Sequence, residues 1–165
     1  MKYGNDLPAP SAHLVPHRLS VWHLRLSDHP ERPGRVRAIM NALTRNYPDI
    51  TTMLAPEATV EQVRGGSGRG IPAAARHVSP YAGIVQIDPD TAVMPASRAA
   101  IFRAAGAACF AVDEVMSGGA ANAFCCVRPP GHHAEPDRAM GFCFFNNASI
   151  GALHAKASQA FDTSK

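Results

Sequence analysis

The 165-residue sequence contains no long hydrophobic run, no block of like charges and no Cys-x-x-Cys pair. A membrane-spanning helix needs about 20 predominantly apolar residues, so none is predicted. The N-terminal segment also lacks the hydrophobic core of a signal peptide. The net charge is +3 and the basic residues are scattered, which favours neither nucleic acid nor an anionic membrane as a partner. These absences predict a cytoplasmic protein that binds neither membranes nor nucleic acid directly.

Cysteine is scarce, and the four cysteines form neither a metal-binding nor a redox motif. All lie among apolar residues, which is typical of buried thiols in a reducing compartment. Two of them are neighbours, so in a strand their side chains would point to opposite faces and could not bridge. A zinc–thiolate site is therefore not expected. The cysteines are Cys109, Cys125, Cys126 and Cys143.

Hydrophobic residues make up 46% of the chain, enough for the core of about one domain. Their spacing predicts helices at residues 35–45, 97–116 and about 147–159, a helix start at 58–62 and a buried strand at 123–127. The predicted inward-facing residues are Val36, Ile39, Met40 and Leu43 in the first helix, Ile101, Ala105, Ala108, Val112 and Val115 in the second, and Ile150 and Leu153 in the third.

Polar residues and glycines mark the predicted helix ends. Ser97 is suited to cap the second helix, which a Gly-Gly pair would end, and either Asn146 or Asn147 is suited to cap the third. Gly106 lies inside the second helix, where glycine costs about 1 kcal/mol relative to alanine. Its presence predicts a close approach of this helix to a neighbouring element.

Two adjacent histidines, His132 and His133, follow the predicted strand. Residues 129–131 read Pro-Pro-Gly, which ends the strand in a turn and places the pair on a loop at its carboxyl end. In open parallel α/β sheets ligands bind at that end, and imidazole is suited to moving protons near neutral pH. An adjacent pair alone favours surface or structural histidines over a catalytic pair, so the flanking residues carry the interpretation.

Two segments carry little pattern. Residues 1–28 have no periodicity and are predicted to be irregular, with their histidines on loops rather than at a metal. Residues 63–78 are rich in glycine, arginine and alanine but lack the Gly-Lys-Ser/Thr ending of a phosphate-binding loop, so a flexible surface loop is predicted. Either a natural loop insertion or a pair of compensating frameshifts in the coding DNA would produce this stretch. The histidines are His13, His17, His23 and His29.

Three motifs carry a family resemblance. Residues 29–35 read His-Pro-Glu-Arg-Pro-Gly-Arg, residues 128–135 read Arg-Pro-Pro-Gly-His-His-Ala-Glu, and residues 141–147 read Gly-Phe-Cys-Phe-Phe-Asn-Asn. Together they resemble the zinc-dependent histone deacetylase family, nearest to its class II and bacterial members, which include acetylpolyamine amidohydrolases. The resemblance implies an α/β fold: a three-layer parallel sheet with helices on both faces, as in the arginase/deacetylase fold. Residues 29–165 would form an incomplete, N-terminal part of that domain, and the arginase branch is disfavoured because its Asp/His dimetal set is absent.

The same resemblance implies zinc-dependent hydrolysis of an N-acetyl amide, with an acetylated lysine side chain or an acetylpolyamine as substrate. His133 would act as the general base and His132 as its electrostatic partner. Phe142, after Gly141, would form a wall of the tunnel that holds the methylene chain of the substrate.

Two further positions match substrate-binding residues of the family. Asp90, with Asp88 as the alternative, would lie at the rim of the site and accept hydrogen bonds from the substrate backbone. Arg35 would lie near the floor of the active-site channel, where acetate leaves.

The sequence also departs from the family pattern. The zinc ligands of the family, an Asp-x-His motif and a later aspartate, have no match in this chain. Zinc is therefore expected in the intact family domain, and this chain alone is expected to be inactive. The alternative function is a non-catalytic remnant or interaction module of the fold. Since half a sheet exposes a strand edge, self-association through that edge is predicted.

Overall fold

The computed structural model describes residues 12–16, 30–67 and 82–162. Four helices, one of them short, and five short strands follow each other along this part of the chain. In order they are β1 (Ala12–Leu14), α1 (Pro33–Asn46), β2 (Thr51–Thr52), α2 (Val60–Ser67), β3 (Val85–Asp88), β4 (Thr91–Val93), α3 (Ser97–Met116), β5 (Asn122–Phe124) and α4 (Asn147–Asp162).

β1 is the central strand of a parallel sheet with the order β2-β1-β5. Its residue His13 pairs with Thr51 on one side and with Ala123 on the other. The sequence predicted no regular structure here, because three residues are too few to show an alternating pattern. His13 therefore lies in a strand and not on a loop, and it is buried; the other three N-terminal histidines lie outside the described residues.

Helices cover both faces of this sheet. On one face Leu14 and Cys126 pack with Val36 of α1, and on the other Val15 packs with Ala107 of α3. A parallel sheet between two helical layers is the predicted α/β arrangement, which is thereby confirmed for this part of the fold. Among the described residues, no helix is both long and apolar enough to cross a membrane.

The predicted polar turn at residues 88–91 is part of a β-hairpin. β3 and β4 pair in antiparallel register, Val85 with Val93 and Asp88 with Thr91, in a two-stranded sheet of their own. The turn at Pro89 and Asp90 therefore joins two strands and does not lead directly into a helix.

All four cysteines are free, as predicted. Cys126 packs on the α1 side of the sheet, whereas the Sγ of Cys125 donates a hydrogen bond to the carbonyl of Ala107 in α3, at 3.4 Å. The adjacent pair thus points to opposite faces. Burial raises the pKa of Cys125 and of Cys109 to about 11. Both thiols are therefore protonated and unreactive near neutral pH.

The predicted helices are present, with small shifts at their ends. α1 begins at Pro33, two residues early, because proline is favoured in the first turn. α3 has the predicted bounds, but its N-cap residue is Ala96. The hydroxyl oxygen of Ser97 instead accepts a hydrogen bond from the N–H of Met94, at 3.0 Å, so its predicted capping role is wrong. The N-cap of α4 is Asn146, whose Oδ1 accepts the N–H of Ser149 at 3.0 Å.

The first part of the Gly/Arg/Ala-rich stretch is helical and not a loop. α2 continues through Ser67, and its residue Val63 is fully buried. Thr59 and Gln62 explain the helix start, because each side chain accepts a hydrogen bond from the other residue's N–H, at 2.8 and 3.2 Å. This reciprocal pair is a capping box. Residues 68–78 lie outside the described part of the chain.

Gly106 lies where α3 closely approaches a neighbouring segment, as its position in the helix predicted. A Cβ at this position would be 2.2 Å from the carbonyl oxygen of Pro56 and 2.6 Å from the nitrogen of Ala58. The backbone of α3 therefore packs directly on the segment that precedes α2, and the N–H of Ala58 donates to the carbonyl of Phe102 at 3.0 Å.

Three predicted core positions are wrong. Val115 and Leu153 are exposed, and Phe124 in the predicted buried strand is 49% exposed. The buried residues of α3 end at Cys109, which leaves Val115 in the exposed last part of the helix. Leu153 lies about 200° around α4 from Gly151, which contacts Ala108 of α3, so it points away from that interface. The strand itself is β5, one residue earlier and shorter than predicted.

Candidate active site

Five of the six predicted site residues line one cleft of about 270 Å³. It lies at the carboxyl end of β5, between the loop that follows this strand, the loop before α1 and residues 141–142. Its position agrees with the rule that ligands bind at the carboxyl ends of parallel strands. The lining residues are Pro30, Glu31, Arg35, Pro130, His132, His133, Gly141 and Phe142.

Two backbone hydrogen bonds fix the histidine loop where the pair begins. The carbonyl of Gly131 accepts the N–H of Ala148 at 3.1 Å, and the N–H of His132 donates to the Sγ of Cys143 at 3.5 Å. A side chain at position 131 would collide with Asn147, at 2.2 Å, so glycine allows the first turn of α4 to pack on this loop.

The two imidazoles lie side by side at the mouth of the cleft. Their ring centroids are 4.2 Å apart and the rings are tilted by 49°. Both residues are exposed. Within the described ranges, neither imidazole makes a hydrogen bond or ion pair with a carboxylate. Both rings are thus free to exchange protons with a bound molecule, but no described group fixes their tautomers.

A buried ion pair joins the histidine loop to the loop before α1. The Nε of Arg128 donates to both carboxylate oxygens of Glu31, at 2.6 and 2.7 Å, and its Nη2 donates to the Glu31 carbonyl at 3.0 Å. Arg128 is fully buried and Glu31 is 3% exposed. Arg35 also contacts Glu31 Oε1, at 3.2 Å. Sequence reasoning missed this pair, although both residues lie inside the motifs that it singled out.

Arg35 is one of the residues that line the cleft. Its side chain is 51% exposed, and Glu31 is shared between it and Arg128. The three side chains carry two positive charges and one negative charge, so this side of the cleft favours an anion.

Gly141 and Phe142 form a tight turn with an unusual backbone. The N–H and carbonyl groups of Met140 and Cys143 bond reciprocally at 3.0 and 2.9 Å. Both central residues have positive φ, 58° at Gly141 and 64° at Phe142, as in a type I′ turn. A Cβ at position 141 would be 2.7 Å from the Cβ of His133, so only glycine fits beside the histidine.

The β3–β4 hairpin holds this turn in place. The N–H of Gly141 donates to Asp90 Oδ1 at 3.1 Å, and the N–H of Phe142 donates to Thr91 Oγ1 at 2.9 Å. The hydroxyl of Thr91 in turn donates to Asp90 Oδ1 at 2.8 Å. Asp90 therefore supports the cleft wall and does not itself line the cleft. Sequence reasoning missed Thr91, since a lone threonine in a short strand carries no signal.

Asp88, the alternative to Asp90, faces a different partner. Its Oδ2 accepts a hydrogen bond from the Nη2 of Arg138 at 3.0 Å, in an ion pair at the surface. This contact links the hairpin to the segment between the histidines and the turn. The geometry thus favours Asp90 as the residue nearer to the site.

We expect the positive φ of Phe142 to cost stability. Phe142→Gly should be more stable than Phe142→Ala by about 1–2 kcal/mol, because glycine adopts this conformation without a Cβ clash. Urea unfolding measures the difference in free energy of unfolding between the two variants. Both variants lack the phenyl ring, so the loss of its contacts cancels in the comparison. Phe124, a β5 residue with a negative φ, is the control, where alanine should be the more stable replacement. Equal stability of the two Phe142 variants would show that the turn is not strained.

The described residues do not fit a zinc ion. No group of three or more His, Cys, Asp or Glu side chains converges within residues 12–16, 30–67 and 82–162. The oxygens of Glu31, the acid that lines the cleft, are engaged by Arg128 and Arg35. The histidine pair alone offers fewer ligands than the three protein ligands of a catalytic zinc site.

Comparison with known proteins gives consistent matches. The profile of the histone deacetylase domain matches residues 29–163. Histone deacetylase 15 from Arabidopsis thaliana is 33% identical over 172 residues, which cover 96% of this chain and 30% of that protein. The histone deacetylase-like amidohydrolase from Pseudomonas aeruginosa is 47% identical over 68 residues, 41% of this chain and 18% of that protein.

Further matches concern substrate class and fold. Polyamine deacetylase HDAC10 from Rattus norvegicus is 55% identical over 53 residues, 32% of this chain and 9% of that protein. The crystal structure of the HDA15 HD domain superimposes with a TM-score of 0.75 at 28% identity, covering 90% of this chain and 44% of that one. The chain thus spans less than half the length of each of these proteins.

Proposed function

This chain belongs to the histone deacetylase family, and we propose that it supplies the histidine-pair part of a site that hydrolyses N-acetyl amides. The observation that carries the proposal is the cleft in which His132, His133, Arg35 and Phe142 meet. The proposed substrate is an acetylated lysine side chain or an acetylpolyamine. Relatives named as histone deacetylases and as a polyamine deacetylase support this class.

Proton transfer is the proposed role of the histidines. His133 takes a proton from the attacking water on its Nε2, and the pair returns a proton to the leaving amine nitrogen as the C–N bond breaks. The two rings lie side by side with their centroids 4.2 Å apart, which would place both imidazoles at the same bound amide. The described residues contain no ligand set for zinc. The proposed proton-transfer steps are therefore assigned to the two histidine side chains.

Substrate contacts are proposed for three further residues. The Phe142 ring, held by the positive-φ turn, packs on the methylene chain of the substrate. Arg35 binds the released acetate, because its side of the cleft carries an excess positive charge. Asp90 contacts the substrate backbone at the rim, with the carboxylate oxygen that is not bonded to Gly141.

We propose that the chain alone does not turn over substrate. In the family reaction, carboxylates orient the histidines and a metal activates the carbonyl. The described residues provide neither for His132 and His133. An interaction module without catalysis is the second candidate function, and the unpaired edge of β5 favours it.

Ligand binding to the cleft tests the proposed function without requiring turnover. Nuclear magnetic resonance of the full chain would follow the histidine ring signals during addition of Nε-acetyl-lysine amide, with lysine amide as the matched ligand control. Signals of His132 and His133 should shift with the acetylated ligand only, and His133→Gln should abolish this binding while His154→Gln, a change on α4 outside the cleft, should not. Equal shifts with lysine amide would contradict the substrate class. Release of acetate by the chain alone would contradict its inactivity.

A further inference from the structure

Thr91 is a buried side chain between the β3–β4 hairpin and the cleft wall. It is the first residue of β4 and is 0% exposed. Its Oγ1 accepts a hydrogen bond from the N–H of Phe142 at 2.9 Å, and its hydroxyl donates to Asp90 Oδ1 at 2.8 Å. A hydroxyl offers one donor and two acceptor positions, so it can make both contacts at once. One side chain therefore joins a residue of the cleft wall to a residue of its rim.

The contact with Phe142 is made where the backbone conformation is unfavourable. Phe142 has a φ of 64°, a left-handed conformation that a residue with a side chain adopts only at a cost. The reciprocal bonds of the turn join Met140 and Cys143, so they leave the N–H of Phe142 for an acceptor outside the turn. Thr91 is such an acceptor. The direction in which the phenyl ring enters the cleft thus depends on where the hairpin holds this hydroxyl.

The contact with Asp90 fixes the rim carboxylate. Asp90 Oδ1 accepts the O–H of Thr91 at 2.8 Å and the N–H of Gly141 at 3.1 Å. Rotation of the carboxylate about its Cβ–Cγ bond would break both hydrogen bonds together. The other oxygen, Oδ2, is thereby held in one direction relative to the Phe142 ring.

We propose that Thr91 is a positioning residue, which holds the Phe142 ring and the Asp90 carboxylate in a fixed relation for the acetylated side chain and the backbone that carries it. This inference rests on the proposed function, since both residues act in the cleft assigned there to the substrate. Thr91 does not line the cleft itself. It acts through the two residues that it bonds, because a group that is already ordered loses less conformational freedom when a ligand binds.

Two ligands separate the contribution of the wall from that of the rim. Nε-acetyl-lysine amide carries the methylene chain, which meets Phe142, and backbone N–H groups, which meet Asp90. N-butylacetamide carries the same acetamide group and alkyl chain without backbone groups. Loss of the Thr91 hydroxyl should therefore weaken binding of the first ligand more than binding of the second. A general loss of structure would weaken both by the same factor.

The matched variants of the full chain are Thr91→Val, which keeps the shape of the side chain, and Thr91→Ser, which keeps the hydroxyl. Titration followed by nuclear magnetic resonance of the histidine rings gives the dissociation constants. Thr91→Val should bind Nε-acetyl-lysine amide about tenfold more weakly and N-butylacetamide about threefold more weakly. Thr91→Ser should bind both ligands as the unchanged chain does. Circular dichroism verifies folding, and if Thr91→Val is unfolded, Thr91→Ala, which also lacks the hydroxyl, takes its place.

Hydrogen exchange supplies a readout that needs no ligand. The Phe142 amide should exchange faster in Thr91→Val than in the unchanged chain, and Thr91→Ser should restore its protection. Unchanged ligand binding in Thr91→Val, equal weakening of both ligands, or no recovery in Thr91→Ser would overturn the proposal.

The exchange measurement also separates this proposal from the proposed function. If the unchanged chain bound neither ligand, the proposed function would fail. Equal exchange of the Phe142 amide in the two variants would then overturn the role of Thr91 as well, whereas faster exchange in Thr91→Val alone would support Thr91 as the residue that positions Phe142.

Discussion

Arg128→Ala is expected to lower the free energy of unfolding by about 3–5 kcal/mol, because it leaves a buried carboxylate without its main partner. Glu31 is 3% exposed and receives two bonds from Arg128 Nε, at 2.6 and 2.7 Å. Once Arg128 is removed, the half-exposed Arg35 is the cation that still contacts Glu31, at 3.2 Å. Urea unfolding monitored by circular dichroism measures the loss.

Two comparisons make this expectation specific. Arg35→Ala removes a half-exposed partner of the same carboxylate and should cost about 0–1 kcal/mol. The double variant Glu31→Leu with Arg128→Met removes both charges and should recover most of the stability lost in Arg128→Ala, because no charge is left buried. If Arg128→Ala costs no more than Arg35→Ala, the buried pair does not hold the two loops together.

Gly106→Ala is the second change with a large expected effect. Alanine favours a helix by about 1 kcal/mol over glycine, yet here we expect a net destabilisation of about 1–3 kcal/mol. The added Cβ would lie 2.2 Å from the Pro56 carbonyl oxygen and 2.6 Å from the Ala58 nitrogen. Both are backbone atoms, so the helix or the segment before α2 must move.

Gly65→Ala is the matched control for this prediction. Gly65 lies in α2, is exposed, and a Cβ there would meet no atom within 4 Å. The same substitution should therefore stabilise the protein by about 0.5–1 kcal/mol. Thermal unfolding of the two variants gives the comparison, and a stabilising Gly106→Ala would show that α3 does not pack on this backbone.

Local patterns predicted the parts of the fold that depend on local chemistry. The apolar spacing in α1 and α3 gave their positions, and Gly106 correctly indicated a close approach. Periodicity could not tell which end of a helix is covered, so Val115 was assigned to the core although it is exposed. β1 was missed because a three-residue strand is defined by its pairing with distant strands and not by its own residues.

The features of the site also separate into those that a local motif predicts and those that depend on distant contacts. His133, Arg35 and Phe142 were placed by motif resemblance, and the structure brings them to one cleft. The supporting contacts were not predictable, because the Arg128–Glu31 pair joins residues that are 97 positions apart. The positive φ of Phe142 also follows from hydrogen bonds to the hairpin and not from its own sequence preference.

The central position of β1 has a consequence for how the chain folds. β1, the first of the described strands, pairs with β2 and with β5, whose Ala123 lies 110 positions after its partner His13, so neither of these two ladders is a local hairpin. Each ladder must close a long loop before it gains any pairing energy, which raises the contact order and slows folding. The helices can form early, whereas the sheet can be completed only after β5 has been synthesised, and the cleft at its carboxyl end only after Phe142 has been synthesised. Until then the apolar faces of α1 and α3 have no sheet to cover them, and they are the surfaces that a chaperone would bind during synthesis.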